Sequence, residues 1–219
     1  MVMLRLNVMN TKRLILPAAW GLSLLVCVIA VIAWGRQYGW HLFPVNNYQL
    51  FPLLGLLAFS LLWTHYVVGT LRDLTGAPEA NLARYYQITG YAVLALICLH
   101  PGLLIYQRFR DGYGLPPHSY ETYARPGLGW VTLLGTVSLL VFLAYETRRW
   151  FGDKPWWHFV QEAGDLAMLA IVYHAYKLCI QFDDRWVGGV WAFYAVVLVA
   201  VLARSYYLKF TARNLAREQ

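Results

Sequence analysis

Two histidines stand inside apolar runs. His100 lies in ALICLHPGLLIY, residues 95–106, and His174 lies in LAMLAIVYHAYKLCI, residues 166–180. An imidazole in hydrocarbon is costly, so it marks either a bond to a neighbouring helix or a functional site. Its ring nitrogens are good metal ligands. Zinc asks for four N, S or O ligands, and nothing near either histidine completes such a set. A proton relay asks for carboxylates at the same depth, and there are none. Haem asks only for two axial ligands on opposite faces, apolar walls, and basic groups for the propionates. Leu96, Leu99, Leu103, Ile171, Val172 and Tyr173 are the expected walls. Lys177, Arg108 and Arg110, at the ends of the same segments, are candidate propionate contacts. Two readings stand on these residues alone. One is a haem held by His100 and His174; the other is two unrelated core histidines bonded to neighbouring helices.

The elements that must position them are membrane spans. The chain has 219 residues, 59% hydrophobic and only 13% charged, with a mean hydropathy of +0.45. Six stretches approach or exceed the 18 or so apolar residues that cross a bilayer. They are Leu14–Trp34, Tyr48–Val68, Tyr86–Tyr106, Gly129–Tyr145, Val160–Ile180 and Val187–Tyr207. The fourth is short and the fifth carries charges. The expectation is an all-α, six-helix membrane bundle, one domain over residues 1–219, with no long internal repeat and no cleaved leader.

Of the 18 Lys and Arg residues, 12 fall on the side shared by the two termini and five on the other, with Lys177 inside the fifth span. Basic residues favour the cytoplasm, so both termini are expected there. The net charge of +7 follows from this bias, and no nucleic-acid partner is expected. The third and fifth spans then run in parallel. His100 and His174 each precede the expected outer exit by six residues, roughly 9 Å of helix, and so share a depth. Cys27, Cys98 and Cys179 lie within spans and read as small packing residues.

His41 and His118 read as loop residues, and His65 and His158 as residues of the inner interface. Also towards the inner end are Arg84, Tyr85, Tyr86, Gln87, Gln161, Glu162 and Asp165. They either form a pocket for a flavin ring or quinone head, or satisfy one another at the headgroups. Asp165, about a turn and a half into its span, leans towards function because a carboxylate there is costly.

The fragment FSLLWTHYVVGTLRDLTGAPEANLARYYQITGYAVLALICLHPGLLIY resembles the ferric reductase-like transmembrane domain superfamily. A polar turn, an Arg lead-in (Arg84), a small-residue step (Gly90) and a Leu-His ligand pair (Leu99, His100) follow one another as in that family. KPWWHFVQEAGDLAMLAIVYHAYKL is similar to its later ligand helix, ending in His174. The likeness covers about residues 48–180. Two-haem members carry a second histidine 13–14 residues before each ligand; those positions here are Gln87, Tyr86, Gln161 and Val160. His158, sixteen before His174, faces roughly 160° away.

The resemblance therefore implies one haem b, like the single-haem members such as the haem membrane subunit of bacterial methionine sulfoxide reductase systems and the STEAP metalloreductases. An inner haem on His65 and His158 is the alternative to that count. The resemblance also implies a multi-pass protein of the bacterial inner membrane. Electrons would pass from an inner flavin (FMN or FAD) or quinol donor to an outer acceptor. No GxGxxG site or nucleotide domain is found, so a flavoprotein partner or membrane quinol would supply them. The loop 107–128 is long enough to cover a haem or dock an acceptor protein. The competing expectation is an accessory subunit of a larger membrane complex, without turnover of its own.

Overall fold

The computed structural model describes residues 2–40, 45–179 and 184–217. His41 and Ile180, the expected exit of the fifth span, lie outside them. The described residues are helical apart from turns and loops, with no strand. In chain order the helices are α1 (Val2–Gln37), α2 (Asn47–Thr75), α3 (Ala83–Arg110), α4 (His118–Tyr123), α5 (Gly129–Tyr145), α6 (Arg148–Phe151), α7 (Trp157–Leu178) and α8 (Arg185–Arg217), with a 3-10 turn at Glu79–Asn81.

Four helical stretches are long and apolar enough to cross a membrane: Leu14–Gln37, Asn47–Thr75, Ala83–Arg110 and Arg185–Leu215. The 17 residues of α5 span about 26 Å, slightly less than a hydrocarbon core of about 30 Å. The 22 residues of α7 are long enough but include Gln161, Glu162, Asp165 and Lys177. The long helices expose Leu24, Tyr91, Phe193 and Val196, as a helix does when its solvent is lipid.

Local chemistry fixes the ends of α2. Asn46 Oδ1 accepts the Gln49 N–H at 2.9 Å, and Gln49 Oε1 accepts the Asn46 N–H at 3.1 Å. This reciprocal capping box satisfies two donors that a helix start leaves unpaired. Gly76, at φ +61°, ends the helix in the left-handed region and returns its N–H to the Arg72 carbonyl.

Packing groups the helices into two hairpins. α2 lies along α3, and α5 lies along α7. α1 and α8 pack on α2. Trp34, Phe59, Trp63, Met168, Trp191 and Tyr194 form a core that joins α1, α2, α7 and α8. Its indoles bond backbone carbonyls of adjacent helices: Trp34 to Gln49 at 2.6 Å, Trp63 to Tyr194 at 3.0 Å and Trp191 to Val172 at 3.2 Å. Each buries a large ring while its N–H is satisfied. One end of the bundle carries α4, with polar links between Asn47 and Gln107 and between Arg36 and Asp184.

Candidate cofactor site

His100 follows the first residue of α3 by 17 positions, and His174 follows the first residue of α7 by 17. Both line the same cavity, of about 280 Å³, just under the range of roughly 300–1,000 Å³ common for small-molecule sites. Ile97, Pro101 and Leu104 of α3 face Ile171, Ala175 and Leu178 of α7 across it. Tyr120 and Tyr123 of α4 add to the lining, so the long 107–128 loop does reach over this cavity.

The wall differs from the sequence expectation. Of the six residues expected there, only Ile171 lines the cavity. Leu99 and Tyr173, next to the histidines in sequence, point outwards and are exposed. Residues three and four apart share a helix face, whereas adjacent ones do not. The true neighbours of His100 and His174 are therefore at three before and four after.

Each imidazole makes one hydrogen bond, to the backbone of its hairpin partner. His100 Nδ1 lies 2.7 Å from the Phe51 carbonyl oxygen, and His174 Nδ1 lies 2.8 Å from that of Val131. A carbonyl oxygen only accepts, so Nδ1 carries the proton and Nε2 keeps a lone pair. Among the described residues nothing hydrogen-bonds Nε2 of either ring. A histidine whose second nitrogen is tied to a carbonyl is held in one tautomer and one orientation, the arrangement that metal-bound histidines adopt.

Close approach makes this bond attainable. A Cβ on Gly55 would fall 2.8 Å from His100 Cε1 and 2.9 Å from its Nδ1. A Cβ on Gly135 would fall 2.6 Å and 2.8 Å from the same atoms of His174. Sequence reasoning passed over both glycines. They carry no chemistry of their own, and only interhelical register gives them a role.

Two neutral imidazoles with free Nε2 lone pairs, apolar walls and a shared cavity meet the axial-ligand and wall requirements of a haem, whereas among the described residues no Lys or Arg lines that cavity to meet its propionates. The donor set does not fit a structural zinc, because no group of three or more His, Cys, Asp or Glu side chains gathers among the described residues.

The remaining candidates are dispersed. Lys177 is exposed, its ammonium 5.7 Å from the ring centroids of Tyr173 and Tyr176, and it is not on the cavity wall. Arg110 is exposed beside Tyr106. Arg108 is buried, bonded to the Thr122 hydroxyl and stacked 3.5 Å over Tyr113. Arg84, Gln87 and Gln161 are exposed. Asp165 is half-buried and accepts the Tyr206 hydroxyl at 3.0 Å. None of these four lines the cavity, and among the described residues no hydrogen bond or ion pair joins them to one another.

His65 and His158 are not brought together either. His65 packs between Tyr85 and Tyr86, with Nε2 2.7 Å from Thr89 Oγ1. His158 is exposed, with Nδ1 on the Pro155 carbonyl three residues back. No family model, curated protein or solved structure matches this chain.

Proposed function

We propose that this protein is a membrane electron-transfer protein holding one b-type haem between His100 and His174. The observation that carries the reading is the matched pair of rings. Each spends Nδ1–H on a backbone carbonyl and leaves Nε2 free at the same cavity. Haem would supply one-electron chemistry there, with a potential set by the axial ligands, their hydrogen bonds and the apolar walls. The chain's own residues do the positioning. Phe51 and Val131 fix the ring tautomers, Ile97, Leu104, Ile171 and Leu178 keep water from the faces, and Tyr120 and Tyr123 cover the α4 end.

In this reading α5 and α7 cross the membrane with the four longer helices, which gives six spans and places both termini in the cytoplasm. The bias of basic residues supports that orientation, and it puts the α4 end outside. Electrons enter from a flavin or quinol donor at the cytoplasmic end, where Arg84 and Gln87 are exposed, and leave to an acceptor near α4. The likeness to the ferric reductase-like transmembrane domain supports the same direction of flow.

A reduced-minus-oxidised spectrum of the purified protein tests this, together with haem quantification. The expected result is a b-type band and a haem-to-protein ratio near one. No haem after expression with haem supplementation overturns the reading, and a ratio near two overturns the single-haem count.

A further inference from the structure

The two hairpins repeat one construction. A shift of 80 positions carries Phe51 to Val131 and Gly55 to Gly135, and a shift of 74 carries His100 to His174. In each hairpin the first helix supplies a carbonyl at one position and a glycine four residues later. The second helix supplies a histidine that bonds the carbonyl and rests on the glycine. The sequence keeps a trace of this in Leu53-Leu54-Gly55 and Leu133-Leu134-Gly135, and in Ile97 and Ile171, each three before its histidine. The lack of a long internal repeat in sequence therefore conceals a structural one.

The spacing of four has a physical reason. A helix carbonyl points along the axis towards the residue four ahead, whose N–H it accepts. A side chain that uses the second lone pair of that oxygen can come to lie against the same residue. In these two hairpins the imidazole does lie against that residue, and glycine there leaves room for both bonds. At these two positions the Cβ would fall within 3.0 Å of two ring atoms in each case. Gly90, Gly102 and Gly164, in the ligand helices themselves, have nothing within 4 Å of such an atom.

We propose that Gly55 and Gly135 are matched positioning residues, each clamping one histidine so that its Nε2 points at the shared ligand. Which ligand is held rests on the haem reading, but the clamp itself does not. An added methyl group pushes the ring off the carbonyl, leaves the Nδ1–H without its acceptor and turns Nε2 away from its axis.

The experiment uses the full chain, labelled with ¹⁵N-histidine, as Gly55→Ala and Gly135→Ala, with Gly90→Ala and Gly102→Ala as controls. In haem-free protein, histidine NMR is expected to show protected Nδ1–H signals from His100 and His174. Gly55→Ala should abolish only the signal that His100→Ala removes, and Gly135→Ala only that of His174. In haem-loaded protein the low-spin electron paramagnetic resonance g values should shift in both variants and stay at wild-type values in the controls.

If a glycine variant fails to fold, the pairing is read from rescue. Gly55→Ala/His100→Ala should return to the melting temperature of His100→Ala alone, whereas Gly135→Ala/His100→Ala should not. Glycine variants that match the controls in NMR and g values overturn the proposal, as does rescue without regard to pairing. A wild-type protein that shows the NMR pattern but takes up no haem overturns the haem reading and leaves the clamp standing.

Discussion

His65 and the His100–His174 pair are the same side chain in similar apolar helices, yet they are bonded in opposite ways. Thr89 Oγ1 donates its single proton to the Tyr85 carbonyl at 2.7 Å, so it can only accept from His65 Nε2–H. The tip of the His65 ring is thereby consumed inside the packing of α2 on α3. In the pair the bond falls on Nδ1, the nitrogen nearer the backbone, and the tip faces a cavity. What separates the pair from His65 is which nitrogen is engaged, and whether the other has space in front of it.

Haem content breaks or sharpens this contrast most strongly. His100→Ala or His174→Ala should each abolish stoichiometric haem, since one axial ligand and one bonded tautomer go together. His65→Ala should leave the haem-to-protein ratio and the spectrum of the wild type. Loss of haem in His65→Ala, with the fold intact by circular dichroism, would show that the contrast is false.

Stability comes next. Thr89→Val keeps the shape and removes the acceptor of His65 Nε2–H, leaving a buried donor unpaired at a cost of about 1–3 kcal/mol. Tyr85→Phe acts on the neighbouring chain of hydroxyls. Thr64 donates to the Leu61 carbonyl at 2.7 Å, so the Tyr85 hydroxyl donates to Thr64 at 2.8 Å and accepts from Ser23 at 2.9 Å. Removing it from the fully buried Tyr85 should cost about 1–2 kcal/mol. Both variants should lower the melting temperature in detergent while haem uptake stays at wild-type level. A drop in haem content with no change in melting temperature would tie this network to the ligand site.

The sequence made the pair legible by placing each histidine six residues before the expected end of its span, and the structure puts both on one cavity. The sequence also marked Gly129–Tyr145 and the fifth span as the weaker segments, and these are α5 and α7, the hairpin outside the four stretches that are both long and apolar enough to cross a membrane. The wall of the cavity was less accessible. Leu99 and Tyr173 are neighbours of the two histidines in sequence but face away, because helical phase decides the wall. The glycine clamp was invisible for a further reason. Glycine at position 55 or 135 looks like any small residue in a membrane helix until the register of the adjoining helix places an imidazole on it. The inner polar residues scattered for a comparable reason: Asp165 faces Tyr206 on α8, while Arg84 and Gln87 sit on α3.

The smallest effect separates two roles of one carboxylate at the α4 end. Asp184 pairs with Arg36 at 2.7 Å, and its Oδ1 accepts the Trp186 N–H at 2.9 Å in the first turn of α8. The bond to the Arg36 guanidinium, and then that from the Trp186 N–H, hold its pKa below the ordinary carboxylate value. A lowered folded pKa means that the group stabilises the protein above the unfolded value. That stabilisation is lost as pH falls through the lower folded value. Asparagine caps helices as well as aspartate does but carries no charge, so Asp184→Asn removes the charge, and with it the ion pair, while keeping the cap. Its small deficit in melting temperature should be constant from about pH 7 to pH 5, shrink with salt, and fade as pH falls below the ordinary aspartate value of about 3.9 through the lower folded one. Asp184→Ala also removes the cap, so its deficit should remain at pH 3. Equal deficits for Asn and Ala at neutral pH would mean that the cap contributes nothing and that the charge alone ties α8 to α1.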